Sequence, residues 1–356
     1  MDVRPDTSGA VDTPVHRDRV TVVLPTYNRR ASLLRCLEAL LACDRRGVEV
    51  TVRIVDDGST DGTEAAVQEL RERCPEGFTL VYHRQRNQGP SAARNLAIRE
   101  SETDLILFID DDCIPEPGWI SALVGVDWDA GVGAAAGRIV SPEQSSWVSR
   151  YCRHIGFNDF PPRSGVVTFA NTANCAYRRA ALLEVEGLEE RVSGGGEDQD
   201  LTHRVVLLGY RLAYAPNAVV RHFHRESFRV LARTFYHRGY RMTMRKILWG
   251  RQAHPSWKWL KKELISLGQV VGTVRSVRAE ARRLRGEGIE AGDALRFAWM
   301  DWLRETLLQA GKIRMMLHIL RGKQQVARTS RGVAGDLEAA LAARAPGQLV
   351  SGESHP

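Results

Sequence analysis

Short apolar runs alternate with amphipathic stretches through the first hundred residues of the chain. Arg19–Pro25 (RVTVVLP) is a β-branched run without polar alternation, which predicts a strand buried on both faces. Residues 30–43 then place Leu33, Leu34, Leu37, Leu40 and Leu41 at helical spacing. The alternation repeats. Val48–Asp56 predicts a strand, Thr63–Cys74 a helix with Asp61 or Thr60 near its amino end, and Phe78–His83 a strand. Ser91–Glu100 predicts a third helix and Leu105–Ile109 (LILFI) a fourth strand. Such alternation implies an α/β fold, a mostly parallel sheet with helices on both faces. Further on, Val132–Val140 and Gly165–Asn171 read as strands, and Arg178–Glu184 and Glu197–Leu208 as helices. Arg211–Ala215 and Ala218–His222 read as two short strands. After Ser227 the chain turns to Arg-rich helix formers. Residues 296–320 set Met300, Leu303, Leu307, Ala310, Ile313, Leu317 and Leu320 along one stripe, the pattern of an amphipathic helix packed on another. The predicted organisation is a disordered leader at 1–17, an α/β domain at 18–227, a basic helical region at 228–345 and a disordered tail at 346–356.

Composition narrows the class. With 356 residues, 43% hydrophobic and 26% charged, the chain is large enough for two domains, and disorder, collagen and coiled coil are excluded. No run of 18 apolar residues occurs, so no transmembrane helix is expected. The first 18 residues lack an apolar core, so no secretory signal is expected either. Six cysteines never fall closer than seven apart, which leaves no C-x-x-C pair and fits reduced thiols in a cytoplasmic chain.

Charge is unevenly distributed. Residues 1–227 hold 26 Lys and Arg against 33 Asp and Glu, a net of −7, whereas residues 228–356 hold 24 against 10, a net of +14. A basic region of this kind favours an anionic neighbour: phospholipid, nucleic acid or the acidic face of the same protein. A packed helical bundle is the simplest expectation. Peripheral contact with an anionic membrane beside Trp249, Trp257, Trp259, Trp299 and Trp302, at the inner face of the cell membrane, is the alternative.

Candidate chemistry collects at strand ends. In an open parallel sheet, ligands bind beyond the carboxyl ends of the strands. Those ends read Pro25-Thr26-Tyr27-Asn28-Arg29, Asp56-Asp57-Gly58-Ser59 and Asp110-Asp111-Asp112, so five carboxylates converge on one edge. They repel one another unless cations or hydrogen-bond donors offset them, and a divalent metal bridging to a diphosphate does so. Helix capping accounts for Asp61 or Ser59, but three adjacent acids exceed what a cap requires. A second group, Gly194-Gly195-Gly196-Glu197-Asp198-Gln199-Asp200, lets the backbone approach a bulky ligand and exposes a helix amino end. Asp200 is expected to pair with Arg204 four residues on. In the third group, Val220-Arg221-His222-Phe223-His224, the two histidines share a strand face.

These segments together resemble a family. VTVVLPTYNRRASLLRCLEAL, VRIVDDGSTDGT, NQGPSAARNLAI, LILFIDDDCIPEPGWI and GGGEDQDLTHRVVLLGYRLAYAPNAVVRHFH, in that order over residues 19–225, resemble the bacterial, non-processive family 2 glycosyltransferases of the GT-A fold. The resemblance implies that Pro25, Thr26, Tyr27 and Arg29 hold base and ribose, that Asp57 contacts the base, and that Gly89, Pro90 and Arg94 line the nucleotide side. Arg94 is equally readable as a helix-surface partner of one of the acids. Asp110-Asp111-Asp112 takes the place of the family's D-x-D motif, with Asp112 the direct ligand of Mn2+ or Mg2+ and Asp110 and Asp111 facing ribose and the metal's water shell. Asp198 takes the place of the base that deprotonates the acceptor hydroxyl, with Glu197 as alternative base or acceptor anchor. His222 would complete the metal site, with His224 beside it, and Arg221 and Arg225 are alternative clamps for the diphosphate. The implied reaction is single-displacement, inverting transfer from a nucleotide-diphosphate sugar to a hydroxyl. A UDP-sugar is the favoured donor, and the acceptor is a glycan, lipid-linked sugar, peptide or natural product. Leu188 departs from the family wording, which commonly has an aromatic there.

Two other classes compete. A sugar-1-phosphate nucleotidyltransferase needs a glycine-rich loop after its first strand, and Pro25-Thr26-Tyr27-Asn28 has none. A nucleic-acid-binding protein acting through the basic region lacks strand aromatics or a zinc motif, so no nucleic-acid partner is expected.

Overall fold

The computed structural model describes residues 15–142, 145–157, 167–224, 226–249, 257–272 and 276–321. The alternation is present: β1 (Arg19–Thr26), α1 (Arg30–Leu41), β2 (Glu49–Asp56), α2 (Thr63–Arg71), β3 (Phe78–Arg84), α3 (Pro90–Glu100) and β4 (Leu105–Ile109). Then come β5 (Cys113–Pro115), α4 (Trp119–Val124), β6 (Val132–Val140), α5 (Trp147–His154), β7 (Asn174–Arg178), α6 (Arg179–Glu184), α7 (Glu197–Leu207) and β8 (Arg211–His222). Four helices follow, α8 (Phe228–Leu248), α9 (Trp257–Gly272), α10 (Val277–Gly286) and α11 (Ala291–Leu320).

All eight strands join one sheet in the order β3-β2-β1-β4-β7-β6-β8-β5. β1 runs parallel to β2 and β4, β2 to β3, and β6 to β8, while β7 is antiparallel to its neighbours β4 and β6. The carboxyl ends of β1, β2, β4 and β8 therefore share one edge. Strand periodicity of two explains the layers. Val20, Val22 and Leu24 face Leu33, Leu37 and Leu40 of α1, and Val23 and Val55 face Ala93, Ala97 and Ile98 of α3.

Two expectations are corrected. No strand occupies residues 167–171; the chain pairs instead over Asn174–Arg178 (165 and 166 lie outside the described residues). β7 is central and wholly buried, so packing selected Ala and Cys there in place of the β-branched residues that signal a strand. The two short strands near residues 211–222 are one strand, with a register shift where β6 passes from Gly137 to Arg138. Pro216 sits within that shift, where the lost ladder bond is tolerated. Asp61 stands at the amino end of α2 as expected, accepting the Thr63 hydroxyl at 2.5 Å, and also accepts the Arg30 amide of α1 at 2.9 Å, while Gly62 opens α2 at φ 80°. Of the leader, residues 1–14 lie outside the described set, but the His16 amide reaches Asp104 at 2.9 Å. The tail at 346–356 also lies outside it.

The helical region begins with α8 at the composition break and packs onto the sheet domain. Tyr151 and Cys152 of α5 join Leu231 and Phe235 of α8, Leu284 of α10, and Phe297 and Met300 of α11 in one buried cluster. Each such large side chain contributes about 1.5–3 kcal/mol. Asp293 binds Arg150 through two contacts, at 2.6 and 3.0 Å. α8 and α11 cross at backbone contact. A Cβ on Gly239 would lie 2.0 Å from the Leu308 carbonyl oxygen, and one on Gly311 would lie 2.0 Å from that of Tyr236.

Gly239→Ala therefore forces the two helices apart and is expected to cost about 3 kcal/mol, in the range of severe overpacking. Thermal denaturation should show a midpoint lower by several degrees. An unchanged midpoint would contradict the backbone crossing.

Candidate active site

The site begins where β1 ends. Asn28 adopts φ 50°, a conformation asparagine tolerates, and ties two loops together. Its amide donates to Ser59 Oγ at 2.8 Å, and its Oδ1 accepts the Thr60 amide at 2.8 Å. Asp57, past the end of β2, is committed to the next loop: Oδ1 accepts Gln85 Nε2 and the Gln88 amide, and Oδ2 accepts the Gly89 amide, each at 2.8 Å. Gly89, at φ 94°, belongs to this loop, and its neighbour Pro90 lines the cleft.

Next to them stand the acids that follow β4. Asp111 is 5% exposed; its Oδ2 accepts Thr26 Oγ1 at 2.8 Å. Arg29 Nη1 bridges Asp111 Oδ1 at 2.8 Å and Asp112 Oδ2 at 2.7 Å. Burial still pushes the Asp111 carboxyl up to about 6, against the pull of Arg29 and with Asp112 adding to it. Arg94 is buried and pairs with Asp110 Oδ1 at 2.5 Å, with Glu197 Oε1 3.7 Å away. Burial opposes its charge, but Asp110 and Glu197 raise its pKa overall. Its Nε and Nη1 have no hydrogen-bond acceptor among the described residues. The helix-surface reading of Arg94 is thus corrected: it is an interior partner of Asp110.

β8 delivers the histidines. Its ladder with β5 sets His222 opposite Cys113, which brings His222 Nε2 to 3.4 Å from Asp112 Oδ1. His224 Nε2 lies 2.6 Å from Ser141 Oγ. Burial, and then the neighbouring His222, lower the His224 pKa to about 4, so the ring is neutral. Arg221 points elsewhere, to Glu116 at 3.1 Å, and is not on the cleft wall. Arg225 lies outside the described residues.

The glycine run lines the cleft and also packs against α8. Gly194 at φ 76° and Gly196 at φ 118° start α7, and a Cβ on either, or on Gly195, would meet Arg241 or Arg245 of α8. Glu197 Oε2 accepts the Gly195 amide at 2.6 Å, and Asp198 Oδ1 accepts the Gln199 amide at 3.0 Å. Burial, then Glu197, push the Asp198 carboxyl up to about 7, against Arg94 and Arg238. Asp200 accepts Arg204 at 2.6 Å, as expected, and also Trp249 Nε1 at 2.7 Å, which anchors the end of α8.

One cleft of about 630 Å³ joins these groups, lined by Pro25, Thr26, Tyr27, Arg29, Asp57, Arg94, Asp110, Asp111, Asp112, Glu197, Asp198, His222 and His224. Other lining residues escaped the sequence reading: Phe157, Phe169, Asn171 and Thr172, and Leu231, Thr234, Arg238 and Met242 of α8. Asn171-Thr172 precedes β7, and locating that strand would have placed them. The α8 residues carry no local signal, since only the packing of α8 brings them to the cleft.

A cation has a donor set here. Asp112, Cys113 and His222 offer ligand atoms within 4.8 Å of one another. The Cys113 thiol is fully buried, and burial pushes its pKa far up, which disfavours a thiolate there when no cation is bound. Asp112 and His222 offer an oxygen and an imidazole nitrogen that suit Mn2+.

Known proteins resemble this chain in sequence and in fold. Residues 21–186 match the family described as Glycosyl transferase family 2. A pre-mycofactocin glycosyltransferase of Mycobacterium tuberculosis is 36% identical over 233 residues, 63% of this chain and 47% of that protein. An N-acetylglucosaminyltransferase of Azorhizobium caulinodans is 32% identical over 219 residues, 57% of this chain and 54% of that protein. The chain thus spans about half the length of the curated relatives it matches. A mannosyltransferase from Pyrobaculum calidifontis, solved with GDP-Man and Mn2+, has the same fold: TM-score 0.57, 19% identity, 89% of this chain and 93% of that one. The fold is therefore GT-A, and residues 21–186 form a domain of glycosyl transferase family 2.

Proposed function

We propose that this protein is a metal-dependent, inverting glycosyltransferase. It moves a sugar from a nucleotide-diphosphate sugar, with a UDP-sugar as favoured donor, to an acceptor hydroxyl. The observation that carries the reading is the meeting of three sequence-distant groups in one cleft: Asp110–Asp112 after β4, Glu197 and Asp198 at the start of α7, and His222 at the end of β8. The solved mannosyltransferase of the same fold, with its GDP-Man and Mn2+, supports the class of donor.

Roles follow from position and charge. Pro25, Thr26, Tyr27 and Asp57 form the nucleotide side of the cleft. Arg94 presents a buried guanidinium with unmatched N–H groups, the chemistry that receives a diphosphate oxygen. Asp112 and His222 would hold Mn2+ or Mg2+, which supplies positive charge against the charge developing on the departing nucleoside diphosphate. Asp198 takes the acceptor proton. A carboxyl raised to about 7 is a stronger base than an ordinary one and still ionises at neutral pH. Glu197, held by the Gly195 amide, keeps that value high through its own charge. The acceptor, a glycan, lipid-linked sugar, peptide or natural product, enters past α8. A cytoplasmic location is part of this reading, supported by six cysteines of which none is paired. We assign 18–227 as the catalytic unit and the helices after it as the acceptor-side wall.

Two outcomes test this reading. Because Asp198 acts ionised, kcat/KM should rise with pH through about 7 and then level. Asp198→Asn should lose transfer by about 1,000-fold or more while nucleotide affinity stays within a few-fold. Glu197→Gln should move the acidic limb to lower pH, since the charge that raises Asp198 is gone. A fully active Asp198→Asn enzyme would remove the base assignment. Separately, Asp112→Ala should abolish the Mn2+ enhancement of UDP binding in calorimetry. Equal affinity with and without Mn2+ in the parent protein would refute the metal site.

A further inference from the structure

Helix α9 has two apolar faces, and among the described residues only one of them is covered. Leu260, with the partly buried Trp259 and Leu267, packs on Ile313, Met316, Leu317 and Leu320 of α11. Glu263, the helix's only acidic residue, turns to that same side and binds Lys312 at 2.7 Å. On the other face Trp257 is 65% exposed, Leu264 50%, Ile265 56% and Val271 45%. At about 100° per residue these four lie within an arc of about 120°. Lys261 falls inside the arc, Lys258 and Lys262 border it, and all three are exposed. The chain holds six lysines, none before residue 246, so half of them sit on this one helix.

We propose that the outward face of α9 lies on the surface of an anionic phospholipid bilayer. Trp257, Leu264, Ile265 and Val271 would enter the boundary between headgroups and acyl chains, with the three lysines among the phosphates. Lysine discriminates lipid from protein as the occupant. The core of a protein interface is depleted in lysine, whereas at a bilayer the long side chain buries its methylenes and leaves its charge among headgroups. The contact is in the membrane plane, since among the described residues no helix is long and apolar enough to cross. The region's other tryptophans each meet a partner within the fold, although Trp299 is 38% exposed. Trp249 binds Asp200 and Trp302 the Val270 carbonyl, Trp299 lies against Phe228, and Trp259 packs beside α11. Trp257 is the one turned fully outward. This inference does not depend on what the cleft catalyses.

Flotation of the full chain with phosphatidylcholine vesicles, with and without phosphatidylglycerol, tests it. The protein should float with anionic vesicles at low salt, bind about tenfold less at high salt, and bind pure phosphatidylcholine weakly. Leu264→Ser with Ile265→Ser, and separately Lys258→Glu with Lys261→Glu and Lys262→Glu, should each lower partitioning by ~20-fold or more. Their thermal midpoints should match the parent because these side chains are exposed, which separates lost binding from lost folding. Failure to float at low salt would overturn the proposal, as would variants that float like the parent. So would a lipid-free dimer that Leu264→Ser with Ile265→Ser converts to monomer, since a second copy would then own the face.

Discussion

The structure depends on how it tolerates negative charge at one edge of its sheet. Asp110, Asp111 and Asp112 follow a wholly buried strand, and Glu197 and Asp198 approach from α7. Carboxylates this close, partly withdrawn from water, repel strongly. Two arginines make the arrangement possible: Arg29 bridges Asp111 and Asp112, and Arg94 stands between Asp110 and Glu197. Burial outweighs this compensation and, with Asp112 and Glu197 adding to it, raises the carboxyls to about 6 at Asp111 and about 7 at Asp198. Groups poised in this way are what a site needs if it is to receive cationic charge and move a proton near neutral pH.

The charge asymmetry along the chain gains a physical meaning from the same cleft. Arg238 and Arg241 of α8 sit by the glycine run that opens α7, and each interacts favourably with Glu197, Arg238 also with Asp198. Part of the basic region is thus the counter-charge of the acidic one. Burial of Arg238 has a cost that lowers its pKa, which is sustained because α8 is fixed by its backbone contact with α11 and by Trp249 on Asp200. The lysines on the outer face of α9, by contrast, pair with no acidic side chain among the described residues.

Periodicity made the first half of the fold legible because β1 through β4 and their helices obey local rules: β-branched strands, leucine stripes, acids at strand ends. The same rules failed for β7. NCAYR is a central strand whose residues were chosen for the space between β4 and β6, where Tyr177 meets Phe108 edge to face, and nothing in its local pattern says strand. β5, three residues long, was equally invisible, yet it is the element that registers His222 against Asp112.

The acids and histidines of the site, together with Arg29 and Arg94, were legible in the sequence alone, as was their gathering at the edge where strands one, two and four end. This was so because strand direction in a parallel sheet follows from short-range alternation. Only the tertiary structure decided pairing and access. That Arg29 spans two acids, that Arg94 is interior, that Arg221 turns away to Glu116, and that α8 walls the cleft all rest on contacts between residues tens to hundreds of positions apart. Such contacts are selected by packing volume and charge balance, quantities that no window of sequence contains.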